Sequence, residues 1–466
     1  MRNFEPFSRL FPLYYALIFM LLISCSDGGE DSSQLMADAG DDKNVLVGEE
    51  VNLNGIGSAD SEGHPFEYSW KFILKPTSSN TLLADNSTEM PTFTPDIQGK
   101  YKVELTISNS SRDSDTVTIA AFNVTTIAGT YENLIPGPNV GIRDFVNACG
   151  YLIAVCEFTE IGGIKANKIA YFDGTNWSAL GCGLEDGSIY DMVEYDGKLY
   201  VTGQFQEIGC APAEIIARWD CENKTWDSVG GGLSGGDDPF GDALAVYNDE
   251  LYVGGRFSKA GDIDVVNIAK WDGDNWANVG TIENGSVREL EVYKQELYVG
   301  GFFDAVNGIN TGSIASYNGS SWSGLGDIDE LELKSVGTVK NMAVFKNVLY
   351  ISGDFSSNND DISELVTWNG NQLQDFGRAF SFSQNSIKEL TAINDLLYIG
   401  GNFRNVVASQ ANNLIQWDGE AWGIMGQGAT GTVLGIEQYK SKIYIGGDFT
   451  SAGGSTAENL SIWTEN

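Results

Sequence analysis

Short apolar runs separated by polar turns dominate this chain, and the runs come in a fixed order. In ALAVYNDELYVGG, at 243–255, two apolar stretches flank a short polar turn, the pattern of a β-hairpin. The second stretch is apolar at consecutive positions, which suits a strand covered on both faces. Downstream, NIAKWDGDNWANVG at 267–280 places Asp272-Gly273 between two runs that each carry a tryptophan. Asp-Gly supplies the positive φ angles of a tight hairpin turn. The two hairpins together predict a unit of four strands.

The unit repeats. LYVGGRF at 251–257 returns as YLIAVCEF, LYVTGQF, LYVGGFF, LYISGDF, LYIGGNF and IYIGGDF, closing on Phe158, Phe205, Phe257, Phe303, Phe355, Phe403 and Phe449 at intervals of 46 to 52 residues. A second aromatic follows 13 or 14 residues later: Phe172, Trp219, Trp271, Tyr317, Trp368, Trp417 or Trp463. A third follows the Asp-Gly or Asn-Gly turn: Trp177, Trp226, Trp276, Trp322 or Trp422, with Leu373 standing in once. Ten of the eleven tryptophans therefore belong to the repeat and are expected in its core. Seven four-stranded units at this period predict a seven-bladed β-propeller.

The ends of the array predict how the ring closes. The last unit, at Phe449, would place its third aromatic near residue 468, past the final Asn466. Tyr131 precedes Phe158 by 27 residues, within the 27 to 33 that separate each third aromatic from the next phenylalanine. Residues 130–135 are thus expected to supply the missing strand, which would leave no open edge.

The units resemble kelch and galactose-oxidase propeller repeats, and more closely the repeats of fungal cortical polarity-marker proteins and many bacterial surface proteins. The likeness rests on Gly254-Gly255 after the second strand and on the paired aromatics downstream, and it covers 126–466. It implies a fold that hosts enzymes, adhesins and scaffolds alike. Residues 36–125, with ADAGDDKNVLVGEEVNLNG, Tyr68 and Trp70 in EYSWKF, and Phe93, Asp96, Gly99 and Tyr101 in FTPDIQGKYKVELTISN, resemble a PKD domain. That resemblance implies an immunoglobulin-like β-sandwich acting as a noncatalytic spacer or adhesive module. The fold class expected is all-β, a sandwich followed by a propeller closed by an N-terminal strand.

Residues 1–25 fit neither domain. Arg2 and Arg9 precede an uncharged apolar run from Leu10 to Ile23, short for a membrane span and suited to a signal peptide. Leu22-Ile23-Ser24-Cys25 resembles the lipobox of bacterial lipoproteins, which implies lipidation at Cys25. Residues 26–35, opening with SDGGEDSSQ, read as a flexible acidic tether. Ser26, rather than aspartate, after the cysteine implies by the lipoprotein sorting pattern an outer-membrane location in a Gram-negative bacterium.

Net charge is −37, and −38 without the signal segment, which repels nucleic acid and anionic lipid surfaces. The lone histidine, His64, sits in a sandwich turn, so histidine-dependent catalysis on the propeller is excluded, as is a copper site of the galactose-oxidase kind. The blade turns lack sialidase aspartate boxes and the alternating aspartates of calcium blades. No cysteine spacing suggests a metal site, and no cofactor or catalytic residue is expected. Apart from Cys25, five cysteines remain, so one thiol is left over. If the strands run as in other propellers, Cys182 and Cys210 lie in loops of one face and form the expected disulfide.

Inter-blade segments of 31, 33 and 30 residues precede Phe257, Phe355 and Phe403, against 27 or 28 elsewhere, and all open on one face. Two acidic loops there are candidates for binding: Asp237, Asp238, Phe240 and Asp242 in one, Asp327, Asp329 and Glu330 in the other. Charge substitutions in hairpin turns of the opposite face, such as Asp249 and Lys294, are expected to leave binding unaffected. The function expected is a monomeric ectodomain anchored to the membrane by its N-terminal lipid, its propeller a noncatalytic platform for a protein or glycan. A polysaccharide-acting enzyme using carboxylates alone and a structural envelope component are the competing classes.

Overall fold

The computed structural model describes residues 34–325, 333–357, 364–376, 380–381, 387–406 and 409–465. Cys25, the apolar run before it, the tether up to 33, and Asp327, Asp329 and Glu330 lie outside the described residues. Every regular element described is a β-strand.

The N-terminal unit is a β-sandwich whose larger sheet runs, in spatial order, Lys43–Leu46, Arg112–Phe122, Gly99–Ser108 and Glu67–Leu74. The residues named from sequence explain its core. Trp70, Tyr101, Val103 and Leu105 are fully buried, and the Trp70 indole donates to the Thr88 carbonyl at 3.0 Å. The Tyr101 hydroxyl donates to the Ile97 carbonyl at 2.7 Å, and Asp96 accepts from Ser79 Oγ at 2.6 Å and the Asn80 amide at 2.7 Å. These bonds satisfy the polar groups of the loop before Gly99 that would otherwise be stranded beside the core.

The second unit is a propeller. Seven sheets of antiparallel strands span 144–179, 188–228, 240–278, 286–324, 333–375, 387–425 and 432–465; they are called blades 1 to 7. The first strand of each blade is innermost, and these inner strands neighbour one another in a circle that returns from Thr432–Tyr439 to Asp144–Ala148. The repeat aromatics fill the spaces between blades: Phe158, Phe257, Phe403, Trp422 and Trp463 are at most 2% exposed. At Gly254 a Cβ would stand 2.3 Å from Val287 of the next blade, and at Gly255 2.2 Å from the Phe240 carbonyl. Glycine is therefore needed where the second strand presses against both neighbours.

Blade 7 takes its fourth strand from Gly129–Asn133, antiparallel to Leu460–Glu465 with Tyr131 opposite Trp463. The two rings lie 4.8 Å apart, and the Tyr131 hydroxyl donates to the Met425 carbonyl of blade 6 at 2.8 Å. In blades 2, 3 and 4 the indoles of Trp226, Trp276 and Trp322 donate in the same way to Leu180, Val229 and Val279 of the preceding blade or its exit loop. Tyr131 thus takes over both the packing and the hydrogen bond of the absent tryptophan.

Two expected boundaries move. Leu35–Met36 pairs with Ala59–Asp60, and Leu35 is buried, so the sandwich begins inside the stretch assigned to the tether. Val124–Ile127 pairs in parallel with Trp422–Met425 as a fifth strand of blade 6, so the boundary placed between 125 and 126 falls within a strand. The free outer edge of blade 6 accepts that pairing directly after the sandwich's last strand ends at Phe122.

Cys182 is disulfide-bonded to Cys210, with Cα atoms 5.9 Å apart, and Cys149 to Cys221, at 5.5 Å. Both bonds join blade 1 to blade 2, one on each face of the ring, and Cys156 is the free thiol among the described residues.

Candidate binding site at the channel mouth

Six of the seven inner strands carry a β-bulge at one repeat position: at 189/191, 241/243, 287/289, 339/341, 387/389 and 433/435. A regular strand sends successive side chains to opposite faces; a bulge re-aims one of them. Here two consecutive residues of an inner strand reach the same cavity, as in Arg288-Glu289, Lys340-Asn341 and Lys388-Glu389. The cavity has a volume of about 700 Å³ and is lined from all seven blades, so it is the mouth of the central channel.

Its residues form two tiers. Fifteen positions before the repeat phenylalanines stand Arg143, Tyr190, Asp242, Arg288, Lys340, Lys388 and Leu434; fourteen before stand Asp144, Asp191, Ala243, Glu289, Asn341, Glu389 and Gly435. The outer tier is cationic and aromatic. The Arg143 guanidinium lies 4.6 Å from the Tyr190 ring centroid and that of Arg288 lies 5.3 Å from Phe240, while Tyr190 and Phe240 meet edge to face at 6.2 Å. Arg288 also pairs with Asp242 at 2.7 Å, and Lys340 with Asp354 at 2.5 Å. Phe302, 57% exposed, completes the aromatic rim.

The inner tier is acidic, and the protein holds its carboxyls above their ordinary values. Burial is the first cause for Asp144, Glu289 and Glu389; repulsion adds to it, from Asp191 on Asp144 and Glu289, and from Asp144 and Glu437 on Glu389. Glu291 and Glu437, two positions further down their strands, are pushed by burial up to about 7. Asp191 is the best held of the set, accepting the Met192 amide and the Leu244 amide of blade 3, each at 2.6 Å. Among the described residues no three His, Cys, Asp or Glu side chains are grouped closely enough to hold a metal ion.

The structure separates the candidates that the sequence put in one loop. Phe240 and Asp242 belong to the inner strand Phe240–Tyr247 and stand at the mouth. The loop assignment is corrected, because the bulge after Gly241 lets that strand start earlier than its apolar pattern suggests. Asp237 and Asp238 remain in the exposed loop before it, and Asp238 accepts from Gln204 Nε2 at 2.6 Å on the wall of a second cavity toward Cys210. Sequence reasoning missed Arg143, Asp144, Tyr190, Asp191, Arg288, Glu289, Lys388 and Glu389. The signal was a charged pair at a fixed offset inside strands otherwise read as buried.

On the opposite face, Lys294 Nζ donates to the Asn369 carbonyl of blade 5 and lies 5.2 Å from the Tyr293 ring centroid, so that turn links neighbouring blades. A tight inner ring brings each hairpin turn within reach of the next blade.

Residues 39–121 match the model of a PKD-domain family. No match to a curated protein was found. Among solved structures, a nucleoside hydrolase-related hypothetical protein from Saccharophagus degradans is 18% identical over 19% of this chain, with a TM-score of 0.18; the match spans 25% of that protein's length. A quinonprotein alcohol dehydrogenase-like protein from Bacteroides thetaiotaomicron is 9% identical over 92% of this chain and 98% of its own, with a TM-score of 0.36. The β-propeller domain of the trilobed protease from Pyrococcus furiosus is 12% identical over 76% of this chain and 94% of its own, with a TM-score of 0.32.

Proposed function

We propose that the propeller is a noncatalytic binding platform whose ligand-facing surface is the channel mouth, and that the ligand is a glycan. The observation that carries this is the convergence of charged and aromatic side chains from six of the seven inner strands on one open cavity of about 700 Å³, with Leu434 from the seventh. Aromatic faces flanked by guanidinium groups offer a sugar both stacking and hydrogen bonds. Kelch-type repeats and the PKD sandwich fit such a role, with the sandwich as spacer and the lipid on Cys25 holding the protein at the outer membrane.

Glycan-array binding of the ectodomain tests the platform. Arg143→Ala combined with Phe240→Ala is expected to weaken a hit about tenfold or more, since hot-spot contacts contribute on that scale, without lowering the melting temperature. Binding unchanged in that variant removes the mouth from the proposal. Cys25→Ser is expected to abolish palmitate labelling; labelling that persists refutes the anchor.

A carboxylate-dependent hydrolase is the second reading, favoured by the raised Asp144 and Asp191 on neighbouring blades. Asp191 spends both oxygens on backbone amides, which argues against its moving a proton. Release of product from a glycan hit would establish the enzyme in place of the platform.

A further inference from the structure

We propose that the sandwich and the ring form one rigid arm that turns the channel mouth away from the membrane holding the N terminus, so that the mouth stays open to a polymeric ligand arriving from the opposite side; this rests on the lipid at Cys25 and on the mouth as the binding surface. The junction has no loose linker. From Arg112 to Asn133 only Asn123 and Ala128 lie outside strands. The Asn123 amide donates to Gln98 Oε1 of the sandwich at 3.0 Å, while its carbonyl accepts from the Trp422 amide of blade 6 at 2.9 Å. Ala120 and Phe122, in the last strand of the sandwich, are buried in one core with Phe345, Tyr350, Trp417 and Trp422 of blades 5 and 6. A core shared by two domains resists their relative motion, because separating them would expose that apolar surface to water.

This shared core lies on the face opposite the mouth. Each inner strand starts at the mouth, as Ser286–Tyr293 does beside Arg288, and ends at a turn on the far face. In blade 5 Phe345 and Val348 flank that turn, and Lys346 within it donates to the Asp418 carbonyl, in the turn that precedes Trp422. Val124 pairs with Trp422 and Ile127 with Met425, so the chain reaches blade 6 at the far face and runs from there toward the mouth. It enters the sandwich at the other end. Ala37 N donates to Asp113 Oδ2 at 2.8 Å, and Leu35 pairs with Asp60, which accepts from Asn109 Nδ2 at 2.9 Å. Between Asp113 and Phe122 the strand rises about 30 Å, at roughly 3.4 Å per residue. Nine residues separate Cys25 from Leu35, at most about 35 Å of extended chain, so the end of the arm held near the bilayer is the end remote from the ring.

The test uses the full-length lipidated protein on phosphatidylcholine vesicles that carry a trace of acceptor dye on their headgroups. Cys156→Ser removes the free thiol, and a donor dye is attached either at Asp262→Cys, in the hairpin that follows the second strand of blade 3 on the mouth side, or at Asp274→Cys, in the far-face turn of the same blade; both positions are exposed. The inner strand of that blade has eight residues, which parts the two faces by about 27 Å, so energy transfer from position 274 is expected to exceed that from position 262 at least about twofold. A flexible glycine–serine insert of about twelve residues between Asn123 and Val124, with a mean span of about 20 Å, should bring the two toward equality. A large maleimide-polyethylene glycol should modify position 262 on vesicles as fast as in the ectodomain. Equal or reversed transfer in the parent, a difference that survives the insert, or slowed modification at 262 overturns the inference. Circular dichroism checks that each variant is folded. Failure to float with the vesicles refutes the lipid and the orientation with it, whereas flotation with reversed transfer removes the orientation and leaves the lipid.

Discussion

The two faces of the ring use polar side chains for different ends. On the hairpin face, hydroxyls join four blades to the next: Tyr195 donates to Asp249 O at 3.0 Å, Tyr247 to Gln295 O at 2.9 Å, Tyr293 to Asn347 O at 2.8 Å and Tyr439 to Gly150 O at 3.1 Å. Lys294, Lys346 and Lys440 extend the pattern by donating to Asn369, Asp418 and Asp173 carbonyls. At the mouth, the opposite ends of the same inner strands carry carboxylates that repel one another and cations that border an open cavity. One face spends its polar groups on cohesion; the other keeps charge that a fold selected for stability alone would not retain, and that contrast is why the mouth is the proposed binding surface.

The largest effect is expected at the seam on which both faces depend. Tyr131→Ala removes the ring against Trp463 and the bond to Met425, and it should cost about 3 kcal/mol, the usual scale for truncating a packed aromatic. Denaturant unfolding measures this directly. A loss below about 1 kcal/mol would mean that the closing strand is dispensable.

Next comes the mouth. Glu291 and Glu437 sit at about 7, above the 4.5 of an ordinary glutamate. Between those values the folded protein holds protons that the unfolded chain has released, so stability is present at the acid end of the window and is lost as pH rises toward 7. The melting temperature should therefore be higher near pH 5 than near pH 8, and Glu389→Gln, which removes one repelling charge, should stabilise by about 1 kcal/mol at the higher pH, the scale of one pKa unit. A flat pH profile together with a neutral Glu389→Gln would show that the mouth carries no stored repulsion.

The hairpin face supplies the smallest effects. Tyr293→Phe loses one inter-blade hydrogen bond and should cost about 1 kcal/mol, whereas Asp249→Asn, which keeps the carbonyl that Tyr195 uses, should lie within about 0.5 kcal/mol of the parent. Equal costs for the two would erase the distinction between stitching and exposed groups on that face.

The blades were legible because their determinants are local. Phe257, Trp271 and Trp276 recur at set spacings, Asp272-Gly273 specifies its own turn, and Tyr131 could be placed by counting from Phe158. The sandwich was legible for the same reason, through Trp70, Asp96 and Tyr101. Neither the fifth strand of blade 6 nor the bond between Cys149 and Cys221 could be read this way, because each joins segments whose own patterns do not mention the other.

By itself, then, the sequence determined an all-β chain of sandwich and propeller, since apolar periodicity, turn chemistry and repeat length act within a few tens of residues. Only the tertiary structure decided where the candidate site lies. Asp144, Glu289 and Glu389 are far apart in the chain and meet only when the ring closes, and the bulges that turn Arg288 and Glu289 toward one cavity break the alternation by which a strand's faces are read.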